Sequence, residues 1–277
     1  MQDRFVQTEN AALHYTVVGT GNKTLLLFHG FGQDNEIYQP LAQALSSTYT
    51  LYIFDLYFHG KSKWANDETP LEKEEWKRIM SQFISENTLE NFSIGGFSLG
   101  GKFAMATAEA FPEKTKALFL IAPDGIKTSF WYSIATYPFL FRKLFKSMIT
   151  HPGRFNAIAN VIQSVGLVDK GLIRFAEHQM NTQEKRNQVY YSWVVFRRLT
   201  FDLNKLAKLL NDHHIRVTMV TGRYDKVILT GNMDRLVKKL NNPQIEVLEA
   251  GHNALVVSEA LANIMIQHAG RADNVNH

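Results

Sequence analysis

The chain has 277 residues, of which 45% are hydrophobic and 20% are charged, and its formal net charge is +4. This composition is typical of a globular protein with one large core and excludes a disordered or fibrous chain. The absence of cysteine excludes disulfides, thiolate metal sites and a cysteine nucleophile.

The N-terminal residues contain no apolar stretch of signal-peptide length, and no later stretch approaches the ~18 apolar residues of a membrane span. We therefore expect a cytoplasmic protein. The modest charge gives no reason to expect a nucleic-acid partner.

Short apolar runs alternate with longer helical patterns, which is typical of a mostly parallel sheet with helices on both faces. Residues 4–9 and 13–18 are predicted to form an opening antiparallel pair. Further strands are predicted at 24–28, 50–56, 92–97, 117–122, 216–221 and 245–249. Helices are predicted at about 36–47, 72–87, 99–110, 231–241 and 253–268.

More than ninety residues separate the strand near Ala122 from the strand near Arg216, which is too long for one crossover helix. Within this stretch, residues 127–198 contain eleven basic and three acidic residues and thus carry +8, whereas the rest of the chain carries −4. The sequence therefore predicts a core domain of residues 1–126 and 199–277, and an inserted helical cap, or lid, at residues 127–198.

The sequence GFSLG places Ser98 between a predicted strand and a predicted helix. A serine at such a tight turn projects its hydroxyl outward, and small flanking residues allow the turn to form. Ser98 is therefore the predicted nucleophile. The alternative is a glycine-rich turn whose serine only caps a helix.

A serine hydroxyl needs a base to become a nucleophile, and the base needs a partner that orients it. His252 follows one late strand and Asp225 follows the strand before it, so these two residues are the predicted base and acid. Asp124, which also follows a strand, is the alternative acid. His213 and His214 precede a strand and are expected to face solvent.

A developing oxyanion needs fixed backbone N–H donors. The sequence HGFG follows the first central strand, and we expect the N–H groups of Phe31 and Leu99 to be the donors. The next strand is followed by DLYFHGKS, a predicted structural turn in which Asp55 and His59 organise the loops around the site.

Together, HGFG, DLYFHGKS, GFSLG, GRYD and GH resemble the α/β-hydrolase fold family, in its branch of serine hydrolases with a helical cap. These motifs extend from residue 29 to residue 252. The family commonly has glycine where this chain has Phe58, a difference that concerns the shape of that loop. The resemblance implies hydrolysis through an acyl-enzyme with no metal or organic cofactor.

The predicted function is cleavage of a carboxylic ester with a hydrophobic acyl group, because the cap is rich in aromatic residues. The same aromatics could instead pack within the cap. Carbon–carbon bond hydrolysis, thioester cleavage and perhydrolysis need no different triad, and a catalytically silent ligand-binding protein is a further alternative.

Residues 137–149 predict a basic amphipathic helix that begins after Pro138 and places Leu140, Leu144 and Met148 on one side. Such a helix can pack its apolar stripe inside the protein. Alternatively, it can contact an anionic membrane surface.

Overall fold

The computed structural model describes residues 3–127, 130–151, 153–154 and 181–273. The strands are β1 (Asp3–Gln7), β2 (Ala11–Val18), β3 (Lys23–Phe28), β4 (Tyr49–Phe54), β5 (Lys63–Trp64), β6 (Phe92–Phe97), β7 (Thr115–Ile121), β8 (Arg216–Gly222) and β9 (Gln244–Leu248). The α-helices are α1 (Gln39–Leu45), α2 (Lys73–Glu86), α3 (Gly100–Ala110), α4 (Phe130–Thr136), α5 (Phe139–Thr150), α6 (Gln183–Val195), α7 (Leu203–Asp212), α8 (Asp234–Val237) and α9 (Glu259–Asp273). Short 3₁₀ helices lie at Asn35–Tyr38, Phe196–Arg198 and Thr230–Asn232.

The chain divides into two compact units. The larger unit comprises Met1–Ala65, Glu72–Lys127 and Leu199–His277, and the smaller one comprises Asn66–Leu71 and Thr128–Arg198. The sequence alone assigned residues 66–71 to the core domain, whereas this division groups them with the inserted segment.

The described strands form one nine-stranded sheet with the order β1-β2-β4-β3-β6-β7-β8-β9, and β5 pairs with β2. Strand β2 is antiparallel to its neighbours, and the path from β4 to β9 is parallel throughout. Strand β3 has β4 as its neighbour on one side and β6 on the other, so the order of strands reverses at β3. The carboxyl ends of parallel strands on either side of such a point are where open α/β sheets bind ligands.

Helices cover both faces of this sheet, which explains why its central strands are mostly apolar without alternating with polar residues. Alternate strand residues such as Leu25 and Leu27 share a buried cluster with residues of α1 and α9. The side chains that point to the other face, such as Phe28, pack against α2 and α3. There the Phe28 ring lies 5.8 Å from that of Trp76. The fold is thus the α/β-hydrolase architecture that the sequence predicts.

The structure differs from the predicted elements at several places. The helix predicted at 231–241 is limited to a 3₁₀ turn and the short α8. The helix predicted to begin at residue 253 begins at Glu259, because residues 252–257 form turns and the Ser258 hydroxyl caps the helix by accepting from the Leu261 N–H at 3.2 Å. Strand β5 and helix α7 were not predicted.

Helix α7 had a readable signal. Asp202 precedes it and accepts hydrogen bonds from two backbone N–H groups of its first turn. Leu206, Ala207 and Leu210 then recur at helical spacing and are buried.

Helices α4, α5 and α6 pack together within the smaller unit. Their aromatic rings contact one another, with centroid distances of 5.2 Å for Tyr132 and Trp193 and 5.7 Å for Phe145 and Trp193. Residues 155–180, which the sequence also assigned to the cap, lie outside the described residues. Within the described part of the chain, no helix has the length and apolar character needed to cross a bilayer.

Candidate active site

Ser98 lies in the two-residue turn that joins β6 to α3. Its φ angle is +49°, a left-handed conformation that is unusual for a residue other than glycine. The backbone of the β7 exit loop holds this turn from the side. The Ser98 N–H donates to the Ile121 carbonyl at 3.0 Å, and the Ser98 carbonyl accepts from the Asp124 N–H at 2.8 Å. The strained serine is therefore fixed by the neighbouring strand.

Two glycines allow the turn to pack closely. A Cβ atom on Gly96 would lie 2.4 Å from the Gly100 carbonyl oxygen, and one on Gly100 would lie 2.0 Å from the Phe28 carbonyl oxygen. Real Cβ atoms do not approach that closely, so the spacing of the GFSLG motif is required by the approach of α3 to β3 and β6.

His252 and Asp225 come from the loops after β9 and β8 and meet Ser98 in one hydrogen-bonded chain. The His252 Nε2 atom lies 3.0 Å from the Ser98 Oγ atom, and the His252 Nδ1 atom lies 2.6 Å from Asp225 Oδ2. A carboxylate can only accept, so Nδ1 carries the proton and Nε2 is left to accept from the serine hydroxyl. The Phe97 ring, 4.9 Å away between centroids, packs on the imidazole.

Asp225 is held as an acceptor. Its side chain is fully buried, and its Oδ1 atom accepts from the Val227 and Ile228 N–H groups at 2.7 and 2.9 Å. Burial alone would raise the pKa of the Asp225 carboxyl, but the hydrogen bonds from His252 and these backbone groups hold it below its ordinary value. Asp225 is thus an anion at neutral pH.

Leu99, one of the two expected oxyanion donors, lies at the N-terminus of α3. Backbone N–H groups at such a position have no partner within the helix. Phe31, the other expected donor, lies in the loop after β3. The two loops follow neighbouring parallel strands, since β3 pairs with β6.

Side chains fix the peptide group that carries the Phe31 N–H. The His29 Nδ1 atom donates to the Gly30 carbonyl at 2.7 Å, while its Nε2 atom accepts from the Leu56 N–H at 2.9 Å. The Gly30 N–H donates to the Gln33 side-chain oxygen at 3.0 Å. Because a peptide group is planar and trans, fixing the Gly30 carbonyl also fixes the opposite direction of the Phe31 N–H.

Asp124, the alternative acid, has other partners. Its Oδ2 atom lies 3.2 Å from the Lys102 Nζ atom, and its Oδ1 atom accepts from the Gly125 N–H at 2.7 Å. Asp124 therefore pairs with α3, and the carboxylate bound to His252 is that of Asp225.

Sequence reasoning missed two supporting side chains. Gln33 follows Gly30 by three residues, a spacing at which a turn returns a side chain to the backbone. Lys102 is a buried charged residue on the mostly apolar helix α3, and such a position usually implies a paired charge. Across the described ranges, no group of three or more His, Asp or Glu side chains could hold a metal ion.

Comparisons with known proteins agree with this architecture. The family model described as the alpha/beta hydrolase fold matches residues 23–158. The chain is 27% identical to the pimeloyl-[acyl-carrier protein] methyl ester esterase of Stenotrophomonas maltophilia, in an alignment that covers 96% of this chain and 92% of that protein. A solved structure of a thermophilic esterase from Thermogutta terrifontis superposes with a TM-score of 0.71 at 17% identity, covering 98% of this chain and 99% of that one.

A third match is partial. The chain is 28% identical over 44% of its length to the dihydrolipoyllysine-residue acetyltransferase component of the acetoin cleaving system of Cupriavidus necator, and the match spans only 32% of that relative. The fold, the turn at Ser98 and the family match lead to one conclusion: the chain has the α/β-hydrolase fold.

Proposed function

We propose that the protein is a serine hydrolase that cleaves a carboxylic ester through an acyl-enzyme. The observation that carries this proposal is the unbroken chain of hydrogen bonds from Ser98 through His252 to Asp225. In this arrangement the serine has a base within reach, and the base has an anion that fixes its tautomer.

In the first half of the reaction, Ser98 Oγ attacks the ester carbonyl and its proton moves to His252 Nε2. Asp225 stabilises the imidazolium that results. The tetrahedral oxyanion accepts hydrogen bonds from the Phe31 and Leu99 N–H groups. When the intermediate collapses, His252 gives its proton to the leaving alcohol, and the acyl group remains on Ser98.

In the second half, water attacks the acyl-enzyme and gives a proton to the same His252 nitrogen. The second tetrahedral intermediate collapses to the free carboxylic acid, and Ser98 recovers its proton. Atoms and charges balance without a metal ion or an organic cofactor.

The similarity to esterases favours an ester over the other substrates of this triad. A hydrophobic acyl group remains part of the proposal. The rings of Tyr132, Phe145 and Trp193 do not support it, because they pack against one another within the inserted segment. Carbon–carbon bond hydrolysis, thioester cleavage and perhydrolysis are the competing reactions, and a cytoplasmic location stays a prediction.

The test is a panel of p-nitrophenyl esters from acetyl to lauroyl, assayed beside a matched thioester, a diketone, and hydrogen peroxide with a carboxylic acid. We expect turnover of esters that increases with acyl length and falls on the order of 10⁶-fold in Ser98→Ala. Because Ala fits the turn, circular dichroism of the variant should match the wild type. Undiminished turnover in Ser98→Ala would show that another residue is the nucleophile.

A catalytically silent binding protein would keep its ligand but lack an activated serine. A fluorophosphonate probe separates the two functions, because it reacts only with a serine that a base activates. We expect labelling at Ser98 that is lost in His252→Ala. An unlabelled wild-type protein would favour the binding function.

We further propose that α5 contacts an anionic membrane surface. Four of its apolar side chains are exposed, with exposed fractions of 62% for Phe139, 74% for Leu140, 48% for Phe141 and 42% for Leu144. An exposed apolar cluster of this kind often marks an interaction site. Lys143 lies beside it, 4.6 Å above the Phe139 ring.

The other two basic residues of α5 contribute less charge to that surface than the sequence suggested. Lys146 lies 2.5 Å from Glu68, and Arg142 lies 3.9 Å from the same carboxylate. The contact would therefore rest mainly on the apolar side chains, with Lys143 adding attraction that salt screens over about 8 Å.

Co-sedimentation with vesicles of anionic phosphatidylglycerol tests this contact. We expect binding that decreases strongly in Leu140→Gln and moderately in Lys143→Gln. Val247→Gln, which replaces an exposed apolar residue of β9, is the matched control and should bind like the wild type. A protein that stays in the supernatant at low salt has no such contact.

A further inference from the structure

The loop that carries Phe31 is held from a second side by His59, which belongs to the loop after β4. The Gly32 N–H donates to His59 Nε2 at 3.0 Å, and His59 Nδ1 donates to the Tyr57 carbonyl at 2.9 Å. Both ring nitrogens are therefore used, one as a donor and one as an acceptor. The side chain is only 2% exposed, so water does not replace either partner.

A buried histidine with two partners is often only part of a core, and position decides whether it does more. Gly32 directly follows Phe31, so its N–H belongs to the peptide group on the far side of that residue from Gly30. The His59 ring also packs edge-on against the Phe31 ring, with centroids 5.4 Å apart. One imidazole thus holds both the side chain of Phe31 and the peptide that follows it.

The position of His59 is itself fixed. Asp55 Oδ2 accepts from the Lys61 N–H at 2.8 Å, and the Ser62 hydroxyl donates to the Asp55 carbonyl at 2.7 Å. Asp55 Oδ1 accepts from the Asn35 N–H at 2.7 Å, just beyond the Phe31 loop. A single aspartate therefore binds the His59 loop and the Phe31 loop to each other.

The charge state of His59 suits an acceptor. Burial, together with the neighbouring His29, lowers the pKa of His59 to about 3. The imidazole is therefore neutral at neutral pH, and only a neutral imidazole has a nitrogen that can accept from the Gly32 N–H.

We propose that His59 is a positioning residue for the oxyanion-binding loop. Through its hydrogen bond to Gly32 and its ring contact with Phe31, His59 holds the Phe31 N–H in the direction of the developing charge. The inference rests on the proposed function, in which the Phe31 N–H is an oxyanion donor. His59 acts on the transition state through Phe31 and does not touch the substrate.

The test compares His59→Phe, which keeps a ring but has no acceptor, with His59→Gln, whose side-chain oxygen can accept from the Gly32 N–H. The readouts are kcat, KM and the inhibition constant of a trifluoromethyl ketone analogue of the best ester. In His59→Phe we expect kcat to fall roughly 10-fold to 100-fold with KM unchanged. The inhibition constant should rise by the same factor, because the bound ketone adduct carries an oxyanion.

The Gln variant should recover most of the lost rate. His213→Gln, a change at an exposed histidine, should leave all three constants unchanged. A His59→Phe protein with wild-type kcat, or a loss of rate that the ketone affinity does not follow, would overturn the proposal. Failure of the proposed function is distinguishable, because Ser98→Ala would then keep its turnover whatever the His59 variants do.

If neither His59 variant folds, the tautomer of the wild-type protein decides. Nitrogen NMR of histidine-labelled protein should show His59 protonated at Nδ1 and unprotonated at Nε2. The opposite tautomer cannot accept from the Gly32 N–H, so its detection would exclude the positioning role.

Discussion

Asp225 and Asp124 occupy similar places in the sequence, each just after a strand, yet their surroundings give them different tasks. Asp225 is fully buried and accepts three hydrogen bonds, one of them from His252. The Asp124 carboxylate is about one-third exposed and pairs with Lys102. The two carboxylates therefore bind different partners, His252 and Lys102.

We predict that Asp225→Asn lowers kcat by about 10⁴-fold, because an amide that donates to His252 favours the wrong tautomer. Asp124→Asn should lower kcat far less, since Asp124 binds Lys102 and the Gly125 N–H, whereas His252 binds Asp225. Steady-state kinetics of the two variants with one ester makes the comparison. A larger loss in Asp124→Asn would mean that the acid has been misassigned.

At the scale of elements, the junction of β6 and α3 depends on contact between backbones. Helix α3 begins two residues after Ser98, and its first residue lies against β3. This contact leaves no volume for a side chain, whereas other glycines in the chain have open surroundings.

We predict that Gly100→Ala destabilises the protein by about 1–3 kcal/mol or more, because its Cβ would lie 2.0 Å from the Phe28 carbonyl oxygen. Gly270 in α9 has no atom within 4 Å of such a Cβ, so Gly270→Ala should stabilise by about 0.5–1 kcal/mol through helix propensity. Urea unfolding measures both changes. Equal stability of the two variants would contradict the close approach.

At the scale of the whole molecule, buried histidines couple stability to pH. Burial lowers the pKa of His29 to about 4 and that of His59 to about 3, from 6.5 in a model compound. Between pH 6.5 and these lowered pKa values, the two histidines are protonated in the unfolded chain but not in the folded chain. Their contribution to stability is therefore complete above about pH 6.5 and decreases as the pH falls. His14 acts oppositely: burial opposes its charge, but hydrogen bonds to Asp55 and Asp3 raise its pKa.

We predict that His59→Gln reduces the slope of stability against pH below about pH 6 by one proton, or about 1.4 kcal/mol per pH unit. The difference between wild type and variant isolates His59 from His14 and from the carboxylates. Urea midpoints, determined at several pH values together with the slope of unfolding, give the comparison. Identical pH slopes in the two proteins would show that His59 is protonated in the folded state.

The sequence predicted the features that are encoded locally. The apolar strands could be read because burial on both faces favours nearly continuous apolar runs. The turn at Ser98 could be read because its glycines are required by close approach of backbones. The assignment of Ser98, Asp225 and His252 then followed from their order in the chain and from the strands that they follow. Helix α7 could also have been read, since its capping aspartate and apolar spacing are local.

Only the tertiary structure decided which side chains meet. Two aspartates could serve as the acid by sequence, and the choice depends on which loop brings its carboxylate to His252. The start of α9 at Glu259 and the contact of His59 with Gly32 were equally hidden, since the first depends on turns after His252 and the second joins loops 27 residues apart. Periodicity records which face of an element is buried, but distances between loops arise only when the strands that carry them pair into one sheet.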